Sequence, residues 1–249
     1  MKIKSLLDTL SEVAIENDLG TPYIVGGIPR DVLLKTETVF HDIDITTGRD
    51  DIDKLAEAFA QKTNGSGRGL SDHKQVIIDG LKFDFSSNFK YKNIKDLIKA
   101  KEYTVSDELA EETFSRDFTV NALLLSLDFK QIVDVTGKGI EHLENGILAC
   151  PLDCTLSFKE SPNRILRAFY YKAKFGFKFD DSVSKAIKDN LDLLKTINAR
   201  YASEMINSIV RADPSILEEL IEIGALQKIP LTKYLTKVLL KNRRILDVI

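Results

Sequence analysis

Ile3, Leu6, Leu7, Leu10, Val13 and Ala14 recur at the three-and-four spacing of a helix, which Asn17-Asp18-Leu19-Gly20 closes. Tyr23-Ile24-Val25 reads as a short buried strand followed by Gly26-Gly27. Pro29 then stands in a first helical turn, ahead of Val32-Leu33-Leu34. Residues 42–46 alternate acid with isoleucine, the period of a strand. Residues 51–62 form an amphipathic helical pattern, and 64–69, Asn-Gly-Ser-Gly-Arg-Gly, predict a flexible surface loop. Residues 75–78 and 81–85, joined by Asp79-Gly80, predict a hairpin. The apolar run 122–127 and the segment 131–134 read as the last sheet elements; beyond about residue 138 helical patterns take over. The pattern predicts an α/β domain over 1–138 and a helical domain over 139–249.

The acidic strand carries the chemistry. Asp42 and Asp44 share one face and Ile43 and Ile45 the other. Two ionised carboxylates side by side repel unless they are solvated or hold a cation, and an oxygen-only set suits Mg2+ or Mn2+. In the predicted hairpin Asp84 points away from Phe83 and Phe85, a candidate third carboxylate and metal ligand. The strand, diglycine turn and helix start around Gly26 and Gly27 suit a phosphate, because glycine lets the backbone approach and its N–H groups face the anion. A phosphate site beside a metal-binding carboxylate pair points to nucleotidyl transfer.

Composition narrows the setting. The 249 residues are 43% hydrophobic and 29% charged, enough to bury one or two cores. No apolar run nears the ~18 residues of a membrane span, and the N-terminus lacks the pattern of a signal peptide. A cytoplasmic location and no membrane partner follow as the expectation. A net charge of −3 argues against indiscriminate nucleic-acid binding but leaves room for a local basic surface. Cys150 and Cys154 are too few for a disulfide framework and read as small buried or half-buried thiols.

The run Gly26-Gly-Ile-Pro-Arg30-Asp31-Val-Leu-Leu-Lys35 followed by His41-Asp-Ile-Asp-Ile-Thr-Thr47 resembles the GGxVRDxLLG and DxDxTT motifs of the tRNA nucleotidyltransferase (CCA-adding) and bacterial poly(A) polymerase family, class II of the polymerase-beta-like nucleotidyltransferases. Further motifs follow in family order across most of residues 20–205. The segment 82–90, Lys-Phe-Asp-Phe-Ser-Ser-Asn-Phe-Lys, resembles the family strand that ends in an aromatic and an arginine, with Lys90 near the arginine position. Ser115-Arg116-Asp117-Phe-Thr-Val-Asn121-Ala resembles RRDFTxNA, with Ser115 for the first arginine. Asp134 to Leu143 resembles a structural turn of the family. Lys159-Glu-Ser161-Pro-Asn-Arg164-Ile-Leu-Arg167-Ala resembles EDPLRILRA, and Ala199-Arg200 to Glu204 resembles ERxxxE.

The resemblance implies a palm-like, mixed-sheet head followed by a neck and a shortened helical body. It implies catalysis through Asp42, Asp44 and Asp84 with Mg2+ or Mn2+. It implies nucleotide contacts around Gly26, Gly27, Arg30 and Asp31, and from Arg116 and Asp117 to triphosphate and ribose. Asn121 is either a further contact or a structural polar anchor. Arg164, with Arg167 on its helix face, reads the base, and Arg200 with Glu204 braces that helix. Ser161 stands where the family has an aspartate that accepts from the base amino group, which puts selection of C and A in doubt. The competing reading of Arg164 is an ion pair with Glu160. Residues 88–106, rich in lysine, are either a solvated loop with a short helix or the family's mobile loop. The basic residues Lys233, Lys237, Lys241, Arg243 and Arg244 form either an RNA-facing or a solvated helix face.

The expected function is addition of CMP and AMP, from CTP and ATP, to a tRNA 3′ end. The chain is short for the family, so a different acceptor (another RNA, a protein or a small molecule) is the alternative. An inactive RNA-binding homologue is the third, and the intact Asp42 and Asp44 count against it.

Overall fold

The computed structural model describes residues 3–36, 42–70, 73–86 and 90–230. His41, Ser87, Asn88 and Phe89 of the motifs above, and the basic residues from Lys233 to Arg244, lie outside them. The chain divides into two compact units, Met1–Leu143 and Glu144–Ile249.

In the first unit the helical spacing at the N-terminus gives α1, Ile3–Glu16, with Leu6, Leu7, Leu10, Val13 and Ala14 buried along one stripe. β1 (Tyr23–Ile24), α2 (Gly27–Leu33), β2 (Asp42–Thr46) and α3 (Ile52–Thr63) follow as the pattern predicts. The glycine-rich segment differs: Ser66–Leu70 is a strand, β3, paired antiparallel to β4, His73–Ile78. Backbone pairing needs no side chain, so the edge of β4 orders a stretch that composition marks as a loop. β4 and β5 (Leu81–Phe85) form the hairpin, with Asp79 at φ 50° and Gly80 at φ 84°, the left-handed pair of a type I′ turn. α4 (Ile94–Ile98) and α5 (Asp107–Phe114) precede β6 (Leu123–Ser126) and β7 (Ile132–Asp134). Tyr91, Ile94 and Ile98 are buried, so the lysine-rich segment is anchored on one side and solvated on the other.

Among the described residues these strands make a seven-stranded sheet in the order β3-β4-β5-β2-β1-β6-β7. Only β2 and β5 run parallel, so the sheet is mixed. One face carries the core. Ile43 and Ile45 of β2 and Phe83 and Phe85 of β5 pack with Leu55 and Phe59 of α3 and the stripe of α1. Phe59 sits edge-on to Phe83, ring centroids 5.1 Å apart, and 5.9 Å from Phe85. The opposite face carries the acids.

The unit ends a few residues later than the pattern predicts. α6, Gly139–Glu144, begins with the Ile140 N–H donating to Asp134 Oδ2 at 3.0 Å, and His142 Nδ1 lies 2.9 Å from Thr119 Oγ1. A Cβ on Gly139 would lie 2.6 Å from the Thr119 carbonyl oxygen, so only glycine lets the helix start there.

The second unit is helical: α7 (Cys154–Glu160), α8 (Asn163–Phe175), α9 (Asp181–Asp189), α10 (Ala199–Ala212) and α11 (Ile216–Glu222). A two-stranded parallel ladder, β8 (Ile147–Leu148) with β9 (Lys178–Phe179), is added to it. Asp153, Asp180 and Asn198 cap three helices by accepting backbone N–H bonds. Cys154 is buried and Cys150 half-buried; the Cys150 and Ser182 hydrogen bonds hold the Cys154 thiol below its ordinary pKa despite burial.

Phe59→Ala removes the ring that meets both β5 phenylalanines, and a cost of about 3–5 kcal/mol is expected, read from denaturant midpoints at unchanged slope.

Candidate active site

The site begins where the alternation of β2 forces it. Ile43 and Ile45 are fully buried, so Asp42 and Asp44 must stand on the exposed face. The parallel pairing with β5 sets Asp44 opposite Asp84 and Asp42 opposite Lys82. In-register residues share a face, so three carboxylates and one ammonium stand on it. Lys82 Nζ lies 3.1 Å from Asp42 Oδ1, both side chains about half exposed. From the other neighbour of β5, Gln75 sits opposite Asp84 and donates to its Oδ1 at 2.9 Å. Asp84 therefore lies on a central strand.

Gly26 closes on this face. Its φ is 74°, and a Cβ there would lie 2.5 Å from Asp44 Oδ2. The Val25 N–H donates to the Asp44 carbonyl at 2.9 Å. Both the left-handed backbone and the neighbouring carboxylate require glycine at this turn. Asp42 and Asp44, exposed and oxygen-only, fit a hard dication. Asp84 stands in register but is engaged by Gln75, and among the described residues no group of three or more His, Cys, Asp or Glu is gathered to hold a metal.

Behind the turn lies a buried polar chain. Arg30 is 4% exposed. Its Nε and Nη2 donate to Asp31 Oδ1 at 2.8 and 2.7 Å, and its Nη1 donates to Asn121 Oδ1 at 2.7 Å. Asn121 Nδ2 in turn donates to Asp117 Oδ1 at 3.1 Å, and that oxygen also accepts the Phe118 N–H at 2.8 Å. The segment Thr119–Asn121 is a 3-10 turn, and the four-residue step from Asp117 to Asn121 brings their side chains together. Arg30 and Asn121 are thus interior braces, and Asp117 is held at their end.

A second chain joins Arg116 to two residues that sequence reasoning missed, Glu112 and Thr46. Glu112 of α5 is 5% exposed. Its Oε1 accepts from Arg116 Nη2 at 2.6 Å, and its Oε2 accepts from the hydroxyl of Thr46, the last residue of β2. Thr46 Oγ1 also accepts the Gly48 N–H at 3.0 Å. The four-residue spacing of Glu112 and Arg116 was a readable signal; the partner on β2 was not. Ser115, at the first arginine position of the motif, is fully buried, and its Oγ accepts the Tyr91 N–H at 3.1 Å and donates to the Glu111 carbonyl at 2.7 Å.

In the second unit Ser161 follows α7 and its carbonyl accepts the Arg164 N–H at 3.0 Å. Arg164 is 7% exposed and its Nη1 donates to Ser157 Oγ at 2.7 Å. Arg167 donates to the Tyr171 hydroxyl at 2.8 Å and lies over that ring. Arg200 and Glu204 form an exposed ion pair on α10. Ser161, Arg164 and Arg167 lie close along one helix entry, and Arg200 is on α10, which packs against α8.

Asn121→Ala removes the amide that joins the buried Arg30 to Asp117. A loss of about 2–4 kcal/mol in folding stability is expected, measured as a shift in denaturant midpoint against wild type.

Solved structures and curated proteins resemble this chain in fold and sequence. The chain shares its fold with a CCA-adding enzyme of Thermotoga maritima complexed with tRNA: TM-score 0.74, 21% identity, covering 90% of this chain and 51% of that one. A tRNA-processing enzyme solved with CTP aligns at TM-score 0.68 and 27% identity over 96% of this chain and 63% of that one. The CCA-adding enzyme of Lactobacillus helveticus is 31% identical over 205 residues, 82% of this chain and 48% of that protein. The chain spans about half the length of the curated relatives it matches. Residues 22–149, which contain both acidic strands, the diglycine turn and the Arg116–Asn121 segment, match the poly A polymerase head domain, and the chain belongs to that family.

Proposed function

We propose that this protein is a template-independent RNA nucleotidyltransferase that adds CMP and AMP, from CTP and ATP, to the 3′ end of tRNA. The observation that carries the reading is the exposed pair Asp42 and Asp44 on one face of β2, with Gly26 against Asp44 and Asp84 in register beside it. The names of its relatives support the same chemistry, and a cytoplasmic setting goes with it.

The RNA 3′ oxygen attacks the α-phosphorus of the nucleoside triphosphate. A new P–O bond forms to RNA, the bond from the α-phosphorus to the β-phosphate oxygen breaks, and pyrophosphate leaves with the electron pair. Such transfers depend on positioning and electrostatics, so no protein nucleophile is needed. Asp42 and Asp44, with Asp84 in reserve, would hold Mg2+ or Mn2+, which supplies charge compensation for the phosphates and acidity for the attacking hydroxyl. Gly26 and Gly27 let the backbone approach the triphosphate. Arg116 offers a guanidinium to its oxygens. Asp117, fixed by Asn121 and the Phe118 N–H, accepts from a ribose hydroxyl. By the family resemblance, Arg164 and Ser161 are the residues that would choose the base.

One observation favours a second reading, tailing of another RNA with looser base choice. Arg164 is buried against Ser157, and Ser161 is a weaker acceptor than aspartate. The two readings separate when each labelled nucleoside triphosphate is offered with tRNAs lacking zero to three terminal residues and with unrelated RNA, and the products are sequenced. Ordered C, C, A addition confined to tRNA supports the first.

Asp44→Ala is expected to slow incorporation at least about 1,000-fold, roughly 4 kcal/mol of barrier, while thermal unfolding stays close to wild type. Near-normal incorporation by the folded variant would remove the metal-assisted reading.

Asp117→Ala is expected to lower the kcat/KM ratio of CTP over dCTP by about 10-fold or more, since a hydrogen-bonded site discriminates strongly against a missing hydroxyl. An unchanged ratio would mean that another group senses the ribose.

A further inference from the structure

We infer that Glu112 is a positioning residue for nucleotide binding: it joins the C-terminal end of the acidic strand to Arg116 and fixes that guanidinium against the triphosphate. The inference rests on the nucleotidyl-transfer reading above. Glu112 is 5% exposed, and each of its oxygens is occupied. One accepts from Arg116 Nη2 at 2.6 Å, the other from the Thr46 hydroxyl. Thr46 lies two residues beyond Asp44 on the same strand and is itself fully buried. Gly48 holds its hydroxyl from the other side at 3.0 Å. The buried carboxylate thus ties α5 and the arginine that follows it to the strand bearing Asp42 and Asp44. Arg116 keeps about a fifth of its side-chain surface open to solvent, which is where an anion can reach it.

An arginine has several rotatable bonds, and holding one fork in place before the ligand arrives removes an ordering cost from binding. The sign of the effect makes the idea testable. Glu112 is negative, and so is a triphosphate. If Glu112 acted only through its charge, neutralising it would tighten nucleotide binding. If it acts by fixing Arg116, neutralising it weakens binding, because an amide presents only one acceptor oxygen for two donors.

The experiment compares wild type, Glu112→Gln, Arg116→Ala and the double variant, with equilibrium binding of CTP and ATP in the presence of Mg2+ and steady-state kcat and KM on a tRNA lacking its terminal residues. Glu112→Gln is expected to raise both the nucleotide Kd and KM about 10-fold while kcat changes less than about 3-fold. Added to Arg116→Ala, it is expected to change binding less than about 2-fold, because it works through that arginine. Unchanged or tighter binding in folded Glu112→Gln overturns the inference, as does a full, additive loss in the double variant. Should glutamine at 112 unfold the protein, Thr46→Val carries the same cycle. It removes the hydroxyl at constant shape and is expected to raise Kd about 3-fold, again only while Arg116 is present. Wild type that binds neither CTP nor ATP would overturn the nucleotidyl-transfer reading itself, and this inference with it.

Discussion

The parallel pairing of β2 with β5 is the constraint on which the rest depends. It fixes Ile43 beside Phe83 and Ile45 beside Phe85 in the core, and by the same stroke sets Asp44 beside Asp84 on the open face. Because side chains alternate with a period of two, slipping either strand by one residue would drive carboxylates into the packing around Phe59. Core packing therefore enforces the geometry of the site. The repulsion among the acids is tolerated because Lys82 and Gln75 come to the same face by the same register, and because Asp42 and Asp44 remain in contact with solvent.

Two buried polar chains flank that face and do different things. The Asp31–Arg30–Asn121–Asp117 chain braces the turn after β1 against the turn before β6, so that Asp117 is held by groups distant in sequence. The Thr46–Glu112–Arg116 chain ties α5 to the end of β2. Buried ionic groups are costly unless fully engaged, and breaking one partner is expensive. A fold that keeps two such chains beside one sheet face gives up stability that apolar residues would supply, and gains defined positions for side chains.

Much of this is legible in the amino-acid sequence. Alternation gave the acidic strand its two faces, helical spacing gave α1 and α3, and Asp79-Gly80 gave the hairpin. The shared face of Asp42 and Asp44 was readable because it depends on one strand alone. Less legible was whatever depends on two segments. The strand at 66–70 exists because β4 offers it an edge, and its glycines carry no pattern of their own. The resemblance implies a nucleotide contact around Arg30, but nothing near it in the chain announces its partner Asn121, ninety-one residues away. Arg164 likewise donates to Ser157 in the preceding helix, a partner that its own helix does not announce. The place of Asp84 on a central strand needed the sheet order, which no local pattern contains.

The glycine-rich strand β3 has a consequence for how this protein behaves in concentrated solution. It forms one border of the sheet, and residues 66–69 are exposed there. A bare sheet border is a template onto which another chain can add, and β-branched residues in it would favour that event. Ser66-Gly67-Arg68-Gly69 is a poor template: two glycines weaken any further ladder, and Arg68 brings charge to each would-be neighbour. Among the described residues this border completes the sheet, while its composition disfavours a further strand.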